Sequence, residues 1–184
     1  MKNREIVYLQ MLAMLSQSNT PRGRKNIAEE LKIGEGVVRT LLEGGKDLGH
    51  VAVMKGGVKI TEGGLTFLKE VLKFCGILDI FLVDQAKSVL CGKRCIAHVT
   101  EGEVKDVVKV RDSLVRLGSC GALILNSELT LPPFGDSLDK YSPELASYLR
   151  PRLVSNTTLI ITCGETFVEA LTPIVLKCSE NLKL

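Results

Sequence analysis

Apolar side chains recur at helical spacing through the first 75 residues. Residues 4–17 are apolar almost all round, which predicts a helix that needs cover on more than one side. Amphipathic runs at 25–32 and 36–47 predict two further helices, separated by the turn IGEG, whose glycines allow the positive φ of a tight corner. The segment HVAVMKGGVKIT predicts a β-hairpin that turns at Gly56-Gly57, and residues 61–75 predict a fourth helix.

The hydrophobic spacing changes after Gly76 from about 3.6 residues to nearer two, which indicates a boundary there. Residues 80–90 and 94–100 predict strands on either side of the turn CGKRC, and residues 101–118 predict an amphipathic helix. The residues of this helix that are expected to face inward are Val104, Val107, Val108, Leu114 and Val115.

The remaining residues predict further strands and helices. Two short strands joined at Asn126-Ser127 are predicted in 120–132, and a short helix in 141–151. Residues 156–164 predict a buried strand, followed by a last helix that Pro173 would kink. The order is β-β-α-β-β-(insert)-β-α, so the predicted fold class is α+β, and the second domain is expected to have two layers, with helices on one face of a sheet.

Charge is distributed unevenly between the two parts. The chain carries a net charge of +3, but residues 1–75 hold 12 Lys and Arg against 8 Asp and Glu, whereas residues 76–184 hold 12 against 13. A basic excess in the part with the hairpin is compatible with an anionic partner. Aromatic residues make up only 4% of the chain and Trp is absent, which argues against an aromatic platform for stacking bases.

The order helix, helix, turn, helix, hairpin, helix is that of a winged helix-turn-helix. Residues 24–68 resemble the DNA-binding domains of winged-helix transcriptional regulators in the segments IAEEL, VVRTLL and GGVKITEGG. The whole chain also resembles an uncharacterised archaeal family that joins a winged helix to a small α+β domain, through GRKNIAEELKIGEGVVRTLL, KVRDSLVRLGSCGALIL and the closing strand-Gly-helix. These resemblances imply a transcriptional regulator with two domains, residues 1–75 and 79–184.

A helix-turn-helix would read double-stranded DNA with the third predicted helix, 36–47, whose N-terminal residues would approach base edges in the major groove. Arg39 is the side chain there that is able to bind guanine through two hydrogen bonds. The predicted DNA-binding residues are Arg22, Arg24 and Lys25 on the phosphate backbone, Gly36, Val37, Arg39 and Thr40 on the helix, and Lys55 and Lys59 beside phosphates at the hairpin tip.

Another interpretation of the same surface is that a non-enzymatic adaptor uses it to dock protein or RNA. Glu43 is acidic where a phosphate would be close, and the third helix has few hydrogen-bonding side chains. An adaptor would bind duplex DNA weakly and form a stable complex with another macromolecule. A third interpretation places an enzyme or a ligand site in the C-terminal domain.

The residues that carry chemistry do not form a recognisable catalytic or metal-binding set. The six cysteines lie mostly in apolar runs and are expected to be thiols in an intracellular chain. Cys91 and Cys95 have neither a second Cys pair nor closely spaced histidines to complete a zinc site, so we expect a hairpin loop there. His98 fits a satisfied strand histidine, and Cys163 lacks an identifiable partner base. We therefore expect no enzyme, no cofactor and no metal.

Arg111 marks a candidate effector cleft, because it lies between Val107 and Leu114 on the side of its helix that is expected to pack. The C-terminal domain is expected to dimerise, to sense a small-molecule effector, or both. The apolar surplus on residues 4–17 and in FLKEVLKFCGILDIFLV predicts a homodimer. The longest apolar stretch is too short to span a bilayer and no segment resembles a secretory signal, so we expect a cytoplasmic protein without a membrane partner.

Overall fold

Four helices and a two-stranded hairpin form the N-terminal part of the computed structural model, which describes residues 3–181. They run in the order α1 Arg4–Ser16, α2 Arg24–Leu31, α3 Glu35–Asp47, β1 Val51–Met54, β2 Gly57–Ile60 and α4 Glu62–Phe74. Each predicted helix of this part is confirmed, with limits that lie within one residue of those predicted, and so is the hairpin.

Side-chain caps explain where the first and the last of these helices begin. Asn3 Oδ1 accepts a hydrogen bond from the backbone N–H of Glu5 (2.9 Å), and Thr61 Oγ1 accepts one from the backbone N–H of Gly64 (3.0 Å). These bonds satisfy N–H groups that have no partner within the first turn of a helix. Local residue choices therefore fix both starting points.

The C-terminal part is built on a four-stranded antiparallel sheet, in which strands 77–82, 94–101, 157–164 and 121–126 lie side by side in that order. Its elements are β3 Ile77–Leu82, β4 Arg94–Glu101, α5 Val107–Arg116, β5 Gly121–Asn126, β6 Thr130–Leu131, β7 Asp136–Ser137, α6 Pro143–Leu149, β8 Thr157–Gly164, α7 Phe167–Ala170 and α8 Thr172–Asn181. The fold class is mixed α+β, as predicted. Where a single kinked helix was predicted, the chain forms two helices, α7 and α8. Pro173 lies in the first turn of α8, just after the break.

Two of the predicted strand connections are wrong. β3 pairs with β4, but a 3-10 helix (Asp84–Ser88) lies between them, so CGKRC is not the turn of a tight hairpin. β5 pairs along its whole length with β8, and β6 pairs with β7, so no hairpin forms across Asn126-Ser127. Asn126 explains the difference, because its Oδ1 accepts hydrogen bonds from the N–H groups of Glu128 and Thr130 and turns the chain there.

Both faces of the sheet are covered, so the predicted two-layer arrangement is wrong. Neighbouring residues of β4 point to opposite faces, as in any strand. Cys95, Ala97 and Val99 pack in a core with α6, whereas Ile96 packs in a core that includes α1, α4 and α8. The sheet is therefore a middle layer, with α6 on one side and helices from both parts of the chain on the other.

One hydrophobic core joins the N-terminal helices to the sheet. It contains Met11 and Leu12 of α1, Leu68 and Leu72 of α4, Ile77 and Ile96 of the sheet, and Phe167 and Ile174 of the last helices. α1 is buried at nine of its 13 residues. The prediction that α1 needs cover on several sides is confirmed. The cover comes from the same chain, however, so α1 no longer argues for a homodimer.

α5 packs on the sheet with a different set of residues from the set predicted. Leu114 is buried as expected, and Val107 and Val110 pack with it against the sheet. Val108 and Val115, which were expected to face inward, are 58% and 44% exposed. The helix begins at Val107 and not at residue 101, and its inward stripe has the i, i+3, i+7 spacing of Val107, Val110 and Leu114.

All six cysteines form disulfides, so the expectation of free thiols is wrong. Cys75–Cys178 joins the end of α4 to α8, Cys95–Cys163 joins directly opposed residues of β4 and β8, and Cys91–Cys120 joins the segments that precede β4 and β5. The partners are 29 to 103 residues apart, so no local pattern reveals them.

Candidate nucleic-acid interface

A tight turn places α3 beside α2. Lys32 ends α2 in the left-handed conformation (φ 52°), and the backbone N–H of Ile33 donates to the carbonyl oxygen of Ala28 (3.1 Å). Gly34 then enters α3 with an extended backbone (φ −69°). The positive φ that was expected of a glycine in this turn is therefore taken by Lys32.

The buried side of α3 is the predicted one. Val38, Leu41 and Leu42 are buried, and so is Gly45. A Cβ added at Gly45 would lie 3.1 Å from the hydroxyl oxygen of Tyr8, so α1 and α3 approach too closely there for most side chains. This packing fixes which side of α3 remains exposed.

The predicted recognition residues of α3 are all exposed: Gly36, Val37, Arg39 and Thr40. Thr40 Oγ1 donates a hydrogen bond to the backbone oxygen of Gly36 (3.1 Å), one turn earlier in the helix. Val37 is an exposed apolar side chain, 45% accessible. Arg39 is therefore the cationic side chain of this group.

A groove of about 290 Å³ lies between α3, the start of α2 and the hairpin. Its lining includes four basic residues, which are Arg22, Arg24, Arg39 and Lys46. Lys46 was not among the predicted residues. It lies two helical turns after Arg39 on the same face, and that spacing is the signal that would have identified it. The fold thus brings Arg24 of α2 and Arg39 of α3 to one groove.

Arg22 is held by contacts inside the protein. Its guanidinium donates hydrogen bonds to Ser18 Oγ and Asn26 Oδ1, and the guanidinium carbon lies 4.8 Å from the ring centroid of Phe167. Burial lowers the pKa of the Arg22 guanidinium, and the negative charge of Glu30 opposes that shift. These contacts fix the start of α2, which argues against the predicted phosphate contact.

Arg24 and Lys25 are exposed in the first turn of α2. That turn contains no acidic residue, and Gly23 provides no side-chain cap. Cations are unfavourable at a helix N-terminus because the unpaired N–H groups carry partial positive charge there. Helix stability therefore does not account for these two residues, whereas contact with an anion would.

Acidic side chains interrupt the basic surface of α3. Glu35, Glu43 and Asp47 are exposed. By helical spacing Glu43 and Asp47 lie on the face opposite the buried residues, together with Gly36. A phosphate that approached the middle of this face would meet negative charge. Glu43 also lines the groove, one helical turn from Arg39 and from Lys46, so the groove holds one carboxylate against four basic side chains. With that basic excess, the side of α3 that faces the hairpin is still the surface best suited to DNA.

The hairpin is tied to the segment that precedes α2. Arg22 and Val58 exchange two backbone hydrogen bonds, of 3.0 and 2.9 Å. Gly57 has a φ of 140°, and a Cβ there would lie 2.4 Å from the carbonyl group of Arg22. This close approach requires glycine, and it holds the hairpin in place beside the groove.

The hairpin tip carries both charge and apolar surface. Lys55 is exposed, and Lys59 is half-buried. Val53 and Met54 are 64% and 51% exposed. Lys59 lies opposite Ala52 within the strands and not at the tip, and the predicted phosphate contacts of both lysines stay a prediction. The exposed apolar side chains suit a protein partner as well as a nucleic acid.

A buried carboxylate anchors α2 on the C-terminal part. Glu30 is 8% exposed and accepts hydrogen bonds from Arg94 Nη2 (2.8 Å) and from the backbone N–H of Phe167 (2.8 Å). Lys32, at the end of α2, forms an ion pair with Glu169. The contacts of Glu30 and Lys32 thus fix α2, which borders the groove, to the C-terminal part, in addition to the common core.

Arg111 lines a different groove, of about 380 Å³, between α5, β5 and residues 131–136. Its side chain is exposed, so the prediction that it lies on the packed side of its helix is wrong. Val110, the preceding residue, packs with Val107 and Leu114 instead. Arg111 nevertheless borders a groove, and its predicted role in an effector cleft stays a prediction.

The remaining cysteine and histidine side chains considered for chemistry are buried or paired. Among residues 3–181, no group of three or more His, Cys, Asp or Glu is arranged to hold a metal ion. Cys91, Cys95 and Cys163 are in disulfides. His98 is fully buried, and burial lowers its pKa to about 4, so its ring is neutral at pH 7. Within the same range no helix is long and apolar enough to cross a membrane.

Two family models match the chain. A PH0730-like N-terminal domain matches residues 9–65, and a domain of unknown function (DUF4443) matches residues 92–177. No functionally curated protein matches the chain.

Solved structures of two archaeal proteins are similar to this chain. The hypothetical protein PH0730 from Pyrococcus horikoshii OT3 is 26% identical, with a TM-score of 0.67, and the match covers 96% of this chain and 92% of that one. The hypothetical protein SSo2273 from Sulfolobus solfataricus is also 26% identical, with a TM-score of 0.36, over 40% of this chain and 57% of that one. The chain is thus similar to a PH0730-like N-terminal domain in its first part and to the DUF4443 domain in its second, and it matches archaeal PH0730 over nearly its whole length.

Proposed function

We propose that residues 1–75 form a winged helix-turn-helix and that the protein is a transcriptional regulator that binds double-stranded DNA in a sequence-specific way. The observation that carries the proposal is the groove in which Arg24, Arg39 and Lys46 meet beside the hairpin. In a helix-turn-helix the second helix enters the major groove and the neighbouring elements contact the backbone. α3 is that second helix here.

Each side chain has a role that follows from its position. Arg39 binds a guanine edge through two hydrogen bonds. Gly36 and Val37, at the start of α3, allow close approach to the bases, and Thr40 contacts a base or a phosphate. The residues that contact phosphates are Arg24 and Lys25 of α2, Lys46 of α3, and Lys55 and Lys59 of the hairpin.

The first test is fluorescence anisotropy of two DNA duplexes, one from the region upstream of the protein's own gene and one of random sequence, at several salt concentrations. Binding should weaken with salt with a slope that corresponds to several phosphates. Arg39→Ala should weaken specific binding by ~1–3 kcal/mol, the size of a lost bidentate base contact, and should remove the preference between the duplexes. Equal losses on both duplexes would contradict base recognition by Arg39.

For side chains that contact the phosphate backbone of DNA, we expect a different result from that for Arg39. Lys55→Ala should weaken binding to both duplexes alike and reduce the salt slope by about one. Lys105→Ala is the matched control, because Lys105 is an exposed lysine on the loop before α5. If Lys105→Ala has the same effect as Lys55→Ala, attraction by overall charge explains the binding and the groove does not.

A protein-docking adaptor is the second candidate, and a specific observation favours it. Glu43 and Asp47 occupy the outward face of α3, and Val53 and Met54 are exposed at the hairpin tip. A protein partner with basic and apolar side chains would complement this surface better than DNA would. Failure to bind either duplex at low salt, together with a stable complex in pull-downs that Val53→Asp abolishes, would support the adaptor.

The C-terminal part is proposed to support this function through homodimerisation or effector sensing. A two-fold dimer would let two copies of α3 read half-sites about 34 Å apart. The buried position of α1 removes the first reason for a dimer. The apolar surface that a second copy could cover lies instead in the N-terminal part, where Leu48 (65%) and Phe74 (67%) are exposed at the ends of α3 and α4.

A further inference from the structure

A cavity of about 450 Å³ lies where the N-terminal helices meet the C-terminal part. α1, the end of α2, the end of α5, α7 and α8 contribute to its wall. Ile6 and Val7 of α1 line it together with Val168 of α7 and Val175 of α8, so much of the wall is apolar. The volume falls within the range of roughly 300–1,000 Å³ that is usual for small-molecule sites.

Gln10 is the unusual residue of this wall. It lies in the middle of α1, only 2% of it is exposed, and its amide nitrogen finds no hydrogen-bond partner among the described residues. A buried polar group without a partner destabilises a fold, so each one requires an explanation. A ligand that accepts a hydrogen bond from Gln10 would provide it.

The other polar groups of the wall also offer hydrogen-bond donors. The Lys32 ammonium has three N–H groups, and its ion pair with Glu169 uses one of them. Asn3 uses its side-chain oxygen to cap α1, which leaves its amide nitrogen as the donor.

The acidic residue of the wall is already engaged. The Glu169 carboxylate accepts hydrogen bonds from Lys32 and from the backbone N–H groups of Glu165 (2.6 Å) and Thr166 (3.0 Å). Burial alone would raise the pKa of Glu169, but these hydrogen bonds outweigh burial and lower it. Glu169 is therefore ionised and already accepts three hydrogen bonds, which leaves Gln10 and Lys32 as the donors that recognise a ligand.

We propose that this cavity binds a small molecule with an apolar body and a carboxylate group. The body lies against Ile6, Val7, Val168 and Val175, and the carboxylate accepts hydrogen bonds from Gln10 and Lys32. The site is separate from the groove beside Arg111, and the proposal does not depend on DNA binding. Because Lys32 ends α2 and Val168 lies in α7, such a ligand contacts both parts of the chain at their junction.

The probe for the test is decanoate, with 1-decanol as the neutral molecule of equal chain length, and isothermal titration calorimetry of the full chain is the measurement. Decanoate should bind the wild-type protein with one site and more tightly than decanol. Lys32→Gln, which removes the ammonium and its ion pair with Glu169, should weaken decanoate binding by about tenfold or more, the size expected for one hydrogen bond to a charged group, and should change decanol binding much less.

Two further variants test the position of the site. Val175→Trp should fill the cavity and abolish binding of both probes, whereas Val154→Trp, at an exposed valine outside the cavity, should leave binding unchanged. Gln10→Leu should raise the Tm of the unliganded protein, because it removes the unpaired amide, and should weaken decanoate binding.

Some results would overturn the proposal. They are absence of decanoate binding to folded wild-type protein, equal affinity for decanoate in wild type and Lys32→Gln, and unchanged binding in Val175→Trp. Circular dichroism of each variant shows whether it is folded. If Val175→Trp or Gln10→Leu does not fold, the comparison of wild type with Lys32→Gln still tests the proposal.

Discussion

Arg22 and Arg39 line the same groove but have different surroundings. Arg22 is held by Ser18 and Asn26 and lies over Phe167, whereas Arg39 is exposed. Arg22→Ala should therefore lower the free energy of unfolding by ~1–2 kcal/mol through lost hydrogen bonds and cation–π contact. Arg39→Ala should leave it unchanged. Denaturant titration of both variants checks this, and equal stability losses would show that Arg39 is also structural.

His98 makes the folded state sensitive to acid. Its pKa is lowered by burial to about 4, against 6.5 in the unfolded chain. Between these values the unfolded chain binds a proton that the folded chain does not. The contribution of His98 to stability is thus fully present above pH 6.5 and is lost as the pH falls towards 4, at up to ~1.4 kcal/mol per pH unit.

Chemical denaturation of wild type and His98→Leu across this pH range measures the effect. The variant should lose less stability than wild type as the pH falls, because it has no group to protonate at this position. Parallel pH profiles for the two proteins would show that other groups cause the acid sensitivity.

At the scale of elements, the two ends of α2 contact different parts of the molecule. Its first turn presents Arg24 and Lys25 to the groove, whereas its last turns hold the C-terminal part through Glu30 and Lys32. A change in this anchor would therefore alter the position of the proposed DNA-binding surface without touching it.

Glu30→Gln tests the anchor. The change preserves the size of the side chain but removes the charge that Arg94 and the Phe167 N–H contact, so the free energy of unfolding should fall by ~2–3 kcal/mol. The neighbouring Glu29 is exposed, and Glu29→Gln serves as the matched control with little expected change. Denaturant midpoints compare the two, and a similar effect of both would argue against the anchor.

The elements differ in how far the sequence alone could predict them. The N-terminal helices and hairpin follow from local information: helical spacing, caps such as Thr61, and a Gly-Gly turn. The pairing of β5 with β8 depends on a strand that lies more than thirty residues further along the chain, and no local pattern selects it. The residues of the two candidate sites also differ in how far the local sequence could predict their roles. Arg24 and Arg39 meet because of a short turn, whereas the roles of Arg22 and Gln10 depend on the distant α7 and α8.

At the scale of the molecule, the disulfide Cys75–Cys178 closes the longest loop, with a sequence separation of 103 residues. Replacing both cysteines by Ala should lower the free energy of unfolding by ~3–5 kcal/mol, because the unfolded chain gains freedom. The same change at Cys91–Cys120, with a separation of 29, should cost about 1 kcal/mol less. Denaturant titration without reductant measures both, and the reverse order would contradict the loop-length explanation.

The proposed homodimer is also a property of the whole molecule. Analytical ultracentrifugation at tens of micromolar, roughly the range in which weak assemblies form, should show a dimer. Leu48→Glu combined with Phe74→Glu should convert it to a monomer without loss of folding, because both side chains are largely exposed. A monomeric wild-type protein would contradict the proposal.

The core common to α1, α4, α8 and the sheet limits how the two parts can evolve. Family models recognise residues 9–65 and 92–177 as separate stretches of sequence. A gene rearrangement that separated them would leave the apolar sides of α1 and the sheet in water and would part Cys75 from Cys178. We therefore expect these two halves to be inherited as a pair, and a genome that encodes one half alone to supply another chain that covers the exposed face.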